Sequence, residues 1–335
     1  MQVLVTGGAG YVGSHACKAL AAQGIEPVVY DDLSEGHAWA VQWGPLETGD
    51  ILDGRRLDQV LAQYRPEAVM HFAAKSSVEE SVRDPGLYRR HNVEGTATLL
   101  DAMERAGVRR MVFSSSCSVN GAPAIMPIRE DAPLLPISPY GETKLQVEKL
   151  LAERADASDL RWVALRYFNA AGADPGLDIG EAHLCETHAI PLAILTALGR
   201  RPAFRVFGAD YDTPDGTAIR DYTHVDDLAD AHVKALSYLG RGSPSAVFNL
   251  GTGRGVSVRQ MIAAVEAASG RRIRVIEAQR RGGDPGMLVA DPGKALAILN
   301  WRARFQAIED IVSTALAWHR KYDPAELPVG RVACK

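Results

Sequence analysis

The short apolar run Gln2-Val3-Leu4-Val5-Thr6 stops at a turn with glycine at every third place, Gly7, Gly10 and Gly13. Ser14 to Gln23 then continues with helical patterning. Strand, glycine turn and helix in that order leave a chain few options. The glycines let the backbone approach a pyrophosphate, which is then held at the amino end of the helix. The next strand-like run, Pro27-Val28-Val29-Tyr30, ends in Asp31-Asp32. That is about 20 residues past the turn, where a carboxylate accepts from the adenosine ribose hydroxyls. A carboxylate there also repels a 2′-phosphate, so the expected cofactor is NAD rather than NADP. Asp32 suits a cap on the following turn equally well.

The alternation continues. Leu57 to Tyr64 reads as a helix, Ala68 to Phe72 as a strand, and about Pro85 to Ala106 as a helix. The strand Arg109–Phe113, a helix opened by Ser138-Pro139 and the strand Arg161–Arg166 follow. Short apolar strands separated by helices predict an α/β chain: a doubly wound parallel sheet covered on both faces. Ligands bind such sheets at the carboxyl ends of the strands. Polar clusters fall there at Asp31-Asp32, Ser114-Ser115-Ser116 and Phe168-Asn169. With 335 residues, 47% of them apolar, the chain can bury a large domain and a sizeable lobe. A formal charge of −4 gives no footprint for nucleic acid or an anionic membrane. No apolar run is long enough to span a bilayer, and Met1 leads straight into the first strand, so no leader is expected. Cys17, Cys117, Cys185 and Cys334 are scattered without metal-ligand spacing. Reduced thiols, a cytoplasmic setting and no metal are expected.

Tyr140 and Lys144 are four residues apart on the helix that Ser138 caps and Pro139 begins, and so share a face. An unperturbed phenol has a pKa of about 10, and bringing it to about 7 needs roughly 4 kcal/mol of preferential phenolate stabilisation. A fixed ammonium is the obvious source. On its own the pair is far more often a stretch of ordinary surface helix, and the rest of the chain decides. Ser116 beside the phenol could bond the reacting oxygen and share its proton. Ser114 and Ser115 suit either backbone satisfaction or a cofactor contact. Further on, Arg220 and Arg281 sit in glycine-rich, loop-like stretches, and their forked guanidiniums match a diphosphate. Asp284 could accept from a ribose hydroxyl or orient Arg281. The plainer alternative is surface pairing with acids such as Asp221, worth about 0–1 kcal/mol.

Several stretches together resemble the extended short-chain dehydrogenase/reductase superfamily. They are Thr6 to Gly13, His71-Phe72-Ala73-Ala74, Asn92-Val93-Glu94-Gly95-Thr96, Ser114 to Ser116, Tyr140 to Lys144 and Arg166-Tyr167-Phe168-Asn169. The run Phe207 to Thr217, leading into Ile219-Arg220-Asp221-Tyr222-Thr223-His224-Val225-Asp226-Asp227, is similar to that of the UDP-glucose 4-epimerase family. Asn249-Leu250-Gly251-Thr252-Gly253, Arg280 to Pro285 and Leu299-Asn300-Trp301 match it in order. The resemblance implies a seven-stranded Rossmann-type domain over residues 1–170, with 218–252 returning to it. A smaller mixed α/β C-terminal lobe over 171–217 and 253–322, and a tail over 323–335, complete the expected division.

The resemblance also implies roles. Besides the glycines and Asp31-Asp32, NAD would be held by Tyr11, Val12, Asp50, Ile51 and the Phe72-Ala73-Ala74 turn with Ser76. Asn92, Ser114, Tyr140, Lys144 and Phe168 complete that set. The UDP-sugar would meet Ser116, Asn169, His188, Phe207, Arg220, Arg281 and Asp284. Tyr140, assisted by Ser116, would take the proton of the sugar 4-hydroxyl while the C4 hydride passes to NAD. The hydride would return to the opposite face of a 4-keto sugar turned about its diphosphate tether. Family members are commonly homodimers, paired through helices equivalent to Pro85–Ala106 and Pro139–Arg154. The chain departs from the family pattern at Asn120, at Ser76 beside Lys75, and at His188 in Glu186-Thr187-His188. Leu288 lies where side-chain size bears on admitting an N-acetyl group. UDP-N-acetylhexosamine, UDP-pentose and UDP-uronate therefore remain alternative substrates. A 4,6-dehydratase would need acids beside Ser116, where Cys117 and Ser118 stand. A non-catalytic NAD- or sugar-nucleotide-binding protein would have no need of Ser116, Tyr140 and Lys144.

Overall fold

The computed structural model describes residues 1–183 and 185–322. Six strands, β1 (Gln2–Thr6), β2 (Glu26–Asp31), β3 (Leu46–Thr48), β4 (Ala68–His71), β5 (Arg110–Ser116) and β6 (Arg161–Tyr167), alternate with helices. Next come β7 (Asn169–Ala171), β8 (Phe204–Phe207), β9 (Ile219–Arg220) and β10 (Tyr222–His224). β11 (Ala246–Leu250) returns to pair in parallel with β6. The large sheet has the order β11-β6-β5-β4-β1-β2-β3 and every pairing in it is parallel. The chain runs outward from β1 through β2 and β3, then crosses back to β4 on the other side of β1. This reversal opens a crevice at the carboxyl ends of β1 and β4, which is where such sheets take ligands.

Alternation within single strands explains the layering. In β1, Val3 and Val5 enter one core layer with Ala16, Cys17 and Leu20 of α1 (Tyr11–Ala22). Leu4 enters the other, with Leu57, Val60 and Leu61 of α2 (Gly54–Tyr64). Each fully buried Val or Leu contributes about 1.5–3 kcal/mol relative to exposure. This explains why the sheet reads as continuous apolar runs rather than polar-alternating ones.

The expected single helix over Pro85–Ala106 is instead a composite. It consists of α4 (Pro85–Tyr88), a π-helical turn over Arg89–Glu94 and α5 (Gly95–Ala106), and the short α3 (Val78–Arg83) precedes it. Ser77 and Asp84 cap the two short helices through the Glu80 and Leu87 amides, and Asp84 breaks the run between them. β5 is longer than its apolar residues suggest. Its ladder with β6 continues through Ser114↔Leu165, Ser115↔Arg166 and Ser116↔Tyr167, so the three serines lie in the strand. β3 is too short and polar to be legible in the sequence. The helix on Pro139 is α6 (Pro139–Ala157), three residues longer than expected at its end.

Beyond β7, α7 (Ala189–Ala197), α9 (Val258–Ser269) and α11 (Ile308–Lys321) enclose a separate apolar cluster with Phe204 and Val206 of β8. β13 (Val275–Ala278) pairs with β8 in parallel. β12 (Val256–Ser257) and β14 (Met287–Leu288) flank β9 in a small mixed sheet. α8 (Val225–Gly240) and α10 (Gly293–Leu299) cover the large sheet near β11. Trp301, fully buried, donates its indole N–H to the Asp227 carbonyl at 2.8 Å. Cys17 and Cys117 are free and buried. The expectation of reduced thiols is corrected at Cys185, which is disulfide-bonded. Cys334 and the expected tail lie outside the described residues.

Candidate active site

The glycine turn fits a dinucleotide because it has no room for side chains. A Cβ on Gly7, whose φ is +73°, would lie 2.5 Å from the Ala73 nitrogen, and one on Gly13 would lie 2.2 Å from the Gly7 oxygen. The loop after β4 thus packs directly on the turn and brings Phe72-Ala73-Ala74 to it. Asp31 ends β2 with one carboxylate oxygen on the Ala9 amide at 3.0 Å and the other on the Leu33 amide at 2.8 Å. Each oxygen keeps a lone pair for a ribose hydroxyl. Burial raises the Asp31 pKa above its ordinary value, and the two amides oppose the shift. Asp32 caps Ser34 instead. Tyr11 is tied to the Gly172 carbonyl at 2.6 Å. Asp50 turns on itself through the Leu52 amide, with Ile51 buried behind it against Gly95.

Asn92 takes a supporting place. It bonds both backbone atoms of Lys75 and the Thr143 hydroxyl, at 2.8, 3.0 and 3.1 Å, from within the π-helical turn. It therefore latches the loop after β4 onto α6. Ser76 is exposed, and the neighbouring Lys75 ammonium lies 3.4 Å from Glu35.

Ser138 caps α6 through the Gly141 amide at 3.1 Å, as its position predicts. Tyr140, Lys144 and Glu148 follow at one-turn intervals on the buried face. The Lys144 ammonium donates to the Ser114 carbonyl at 2.8 Å and lies 5.7 Å from the centre of the Tyr140 ring. Ser116 is near enough to pull the phenol pKa down, but burial outweighs it and the Tyr140 pKa is raised well above the usual range. Burial also lowers Lys144 to about 7, against the opposing pull of Glu148. Desolvation acts on both groups and favours their neutral forms, opposing the pull on the phenol expected of Lys144. Ser116 accepts from the Ser118 hydroxyl at 2.9 Å, and Ser114 bonds the Tyr167 hydroxyl. Ser115 turns away to donate to Glu148 at 2.5 Å.

Behind this corner lies a pair that sequence reasoning missed. Arg166 forms two bonds to Glu148, one of them at 2.9 Å, with both side chains buried. The signal was present, since Glu148 continues the Tyr140–Lys144 spacing by one more turn. His71 was missed too. It is held between the Thr6 and Thr96 hydroxyls at 2.7 and 2.8 Å, and burial lowers its pKa to about 3, so it stays neutral. The Phe168 side chain packs with Cys117, Ile128 and Ala290.

The anchors from the second half arrange differently from expectation. Asp284 pairs with Arg220, not with Arg281. Arg281 lies over the Phe207 ring at 3.9 Å and is exposed. Asp221 is no surface partner. It is fully buried and accepts from Thr252 twice, Gly253 and Ala290, which ties β9 to the turn after β11. Asn169 pairs with Tyr222 across β7 and β10, beside Arg220. His188 sits just ahead of α7 with Nδ1 against Glu181. Asn120 is buried and donates to the Pro133 carbonyl at 3.2 Å.

The sequence pattern of the "NAD dependent epimerase/dehydratase family" matches residues 3–251. A UDP-glucose 4-epimerase of Rhizobium leguminosarum bv. trifolii is 52% identical over 319 residues, covering 95% of this chain and 97% of that protein. The crystal structure of UDP-glucose 4-epimerase from Brucella ovis in complex with NAD superposes with a TM-score of 0.92 at 49% identity, over 94% of this chain and 97% of the other. That from Bifidobacterium longum, in complex with NAD+ and UDP, gives 0.92 at 35% identity, over 96% and 98%.

Proposed function

The chain belongs to the NAD dependent epimerase/dehydratase family, and from that premise we propose how its residues divide the work. It is an NAD-dependent isomerase that interconverts UDP-glucose and UDP-galactose by inversion at C4. NAD, when bound, supplies the acceptor and donor of the C4 hydride. The glycine turn and Asp31 hold the cofactor, with the body formed by 1–170 and 218–252 as its platform. Tyr140 takes the proton of the sugar 4-hydroxyl and returns it to the same oxygen. Ser116 bonds that oxygen and eases the transfer, and Lys144, fixed on the Ser114 carbonyl, positions the cofactor ribose and stabilises the phenolate. In a reversible inversion one group must be base and then acid, which suits a phenol that burial raises and the Ser116 hydroxyl pulls back down.

Arg220 and Arg281 grip the diphosphate, with Asp284 orienting Arg220 and Asn169 beside them. Phe207 and His188 face the uridine. Firm hold on the diphosphate, with few contacts to the hexose, leaves the sugar free to turn. The observation that carries this reading is the buried Tyr140–Lys144–Glu148 face of α6 laid against the polar end of β5. Pairing into a homodimer through α4, α5 and the turn between them, with α6, belongs to the proposal, and light scattering that returns a monomer mass overturns it. Among the described residues no helix is long and apolar enough to cross a membrane, and cytoplasmic residence is proposed with it.

The test is turnover of UDP-glucose and UDP-galactose by purified protein without added NAD. N-acetylated, pentose and uronate analogues run in parallel decide the sugar, with Leu288 as the residue to vary. Failure of NAD-loaded protein to convert any UDP-sugar overturns the reading.

A further inference from the structure

Between β7 and α7 the chain carries Glu181, His183, Glu186 and His188 in an E-x-H-x-x-E-x-H spacing. One ligand atom from each of the four lies within 4.8 Å of all the others. His183 Nδ1 is 3.1 Å from Glu181 and 3.6 Å from Glu186, and His188 Nδ1 is 3.9 Å from Glu186 and in contact with Glu181. Both imidazoles present the same nitrogen inward, and both reach the same Glu181 oxygen. Four-coordinate zinc binds imidazole nitrogen and carboxylate oxygen at about 2.0–2.2 Å, which places ligand atoms roughly 3.3–3.6 Å apart in a tetrahedron. The spacings in this cluster bracket that edge.

Charge and packing accommodate a divalent ion in place of direct pairing. The two imidazole rings are 5.3 Å apart between centroids, so as two cations they would repel each other. As neutral ligands of one divalent ion they would not, and two carboxylates would balance its charge. The Glu181 and Glu186 side chains are only 3% and 8% exposed, the sheltered setting in which such balance counts.

The surroundings hold the ligands in place. The Glu181 carbonyl accepts from the Trp318 indole at 2.8 Å, and the Ala182 carbonyl is bonded by His37 at 2.6 Å. Glu186 accepts the Thr187 and His188 amides, both at 2.7 Å, which fixes the carboxylate's orientation as outer-shell bonds do in metal sites. The His183 ring meets Tyr11 of the glycine turn edge-on at 6.4 Å.

We propose that Glu181, His183, Glu186 and His188 form a structural zinc site that clasps the segment ahead of α7 to the glycine turn and α11. With four protein ligands the site is closed to solvent chemistry. It leaves His188 Nε2 free for a uridine contact. Metal-ligand spacing is absent among the cysteines, whereas this cluster is built from histidine and glutamate.

The test uses the full chain with its NAD, stripped with a chelator, gel-filtered and reloaded with Zn2+. One zinc per chain by elemental analysis, a raised Tm, and the intense visible bands of four-coordinate Co2+ after cobalt loading are expected. His183→Gln and Glu186→Gln should keep the far-ultraviolet spectrum and lose zinc affinity by more than the roughly 10–100-fold that an outer-shell loss costs. If either variant fails to fold, His188→Ala, at a half-exposed side chain, gives the same readout. Wild-type protein that holds no stoichiometric zinc at micromolar Zn2+, or variants that bind it as tightly as wild type, would overturn the site.

Discussion

Tyr140, Lys144 and Glu148 stand on a 19-residue helix whose inward polar atoms are met by β5 and β6. Arg220 and Arg281 stand where the chain scarcely forms regular structure: Arg220 on a two-residue strand, Arg281 in an exposed turn. The first region is organised by burial, which raises the Tyr140 pKa and lowers that of Lys144. The second is organised by charge, with each guanidinium resting on a neighbour that the proposed diphosphate would replace. Asp284 fills that place for Arg220 and the Phe207 ring for Arg281. A proton-transfer corner must be rigid and dry, whereas an anchor for an incoming diphosphate must exchange one partner for another. The two regions therefore fail differently when altered.

Tyr140→Phe should produce the largest change, a loss of about 100- to 10,000-fold in kcat, the usual share of a positioned acid–base group. UDP affinity by calorimetry should stay within about twofold, since the anchors lie elsewhere. A variant with near-wild-type turnover would sink the phenol as base and leave the comparison without its first member. Glu148→Gln tests why that corner is rigid. It leaves the Arg166 guanidinium buried without its counter-charge, a change that costs about 3–5 kcal/mol in comparable sites. Urea unfolding of NAD-loaded protein reads it directly. A stability loss under about 1 kcal/mol would mean that the pair supports neither β6 nor Lys144.

The division also decides what could be read in advance. Glycine spacing, Asp31, and the Tyr140–Lys144 face follow from periodicity and local turn chemistry, so they are legible in one sequence. Which acid meets which base is not, because Arg220 finds Asp284 from 64 residues away across a small sheet. Asp221 resembles a surface acid in the run Arg220-Asp221-Tyr222, yet β9 and β10 bury it and four donors converge on it. The π-helical turn escaped notice because its residues are ordinary helix formers. Only the packing of Asn92 between Lys75 and Thr143 gives that turn a use.

Arg220→Ala should raise the KM for the UDP-sugar with a smaller effect on kcat, because it removes a hold common to ground state and transition state. A charge-assisted bond is worth about 1.5–3 kcal/mol, so an increase of roughly 10- to 150-fold is expected. An equal fall in kcat with unchanged KM would place Arg220 among the groups acting on the reacting oxygen and erase the distinction drawn above.

The smallest effect is a slope. Burial holds Lys144 at about 7, below the ordinary lysine value, and holds Tyr140 above the ordinary phenol value. Between pH 7 and about 10 the unfolded chain keeps the lysine proton that the folded chain has lost. Stability should therefore rise with pH across that window, by at most about 1.4 kcal/mol per unit from this group. Above about pH 10 the sign reverses, since the unfolded chain ionises its tyrosine while the buried Tyr140 keeps its proton. Lys144→Met should flatten the lower window and leave the upper one. If the variant and the parent show the same slope from pH 7 to 10, the ammonium is not the group that burial neutralises, and the corner owes its dryness to something other than α6 laid on β5.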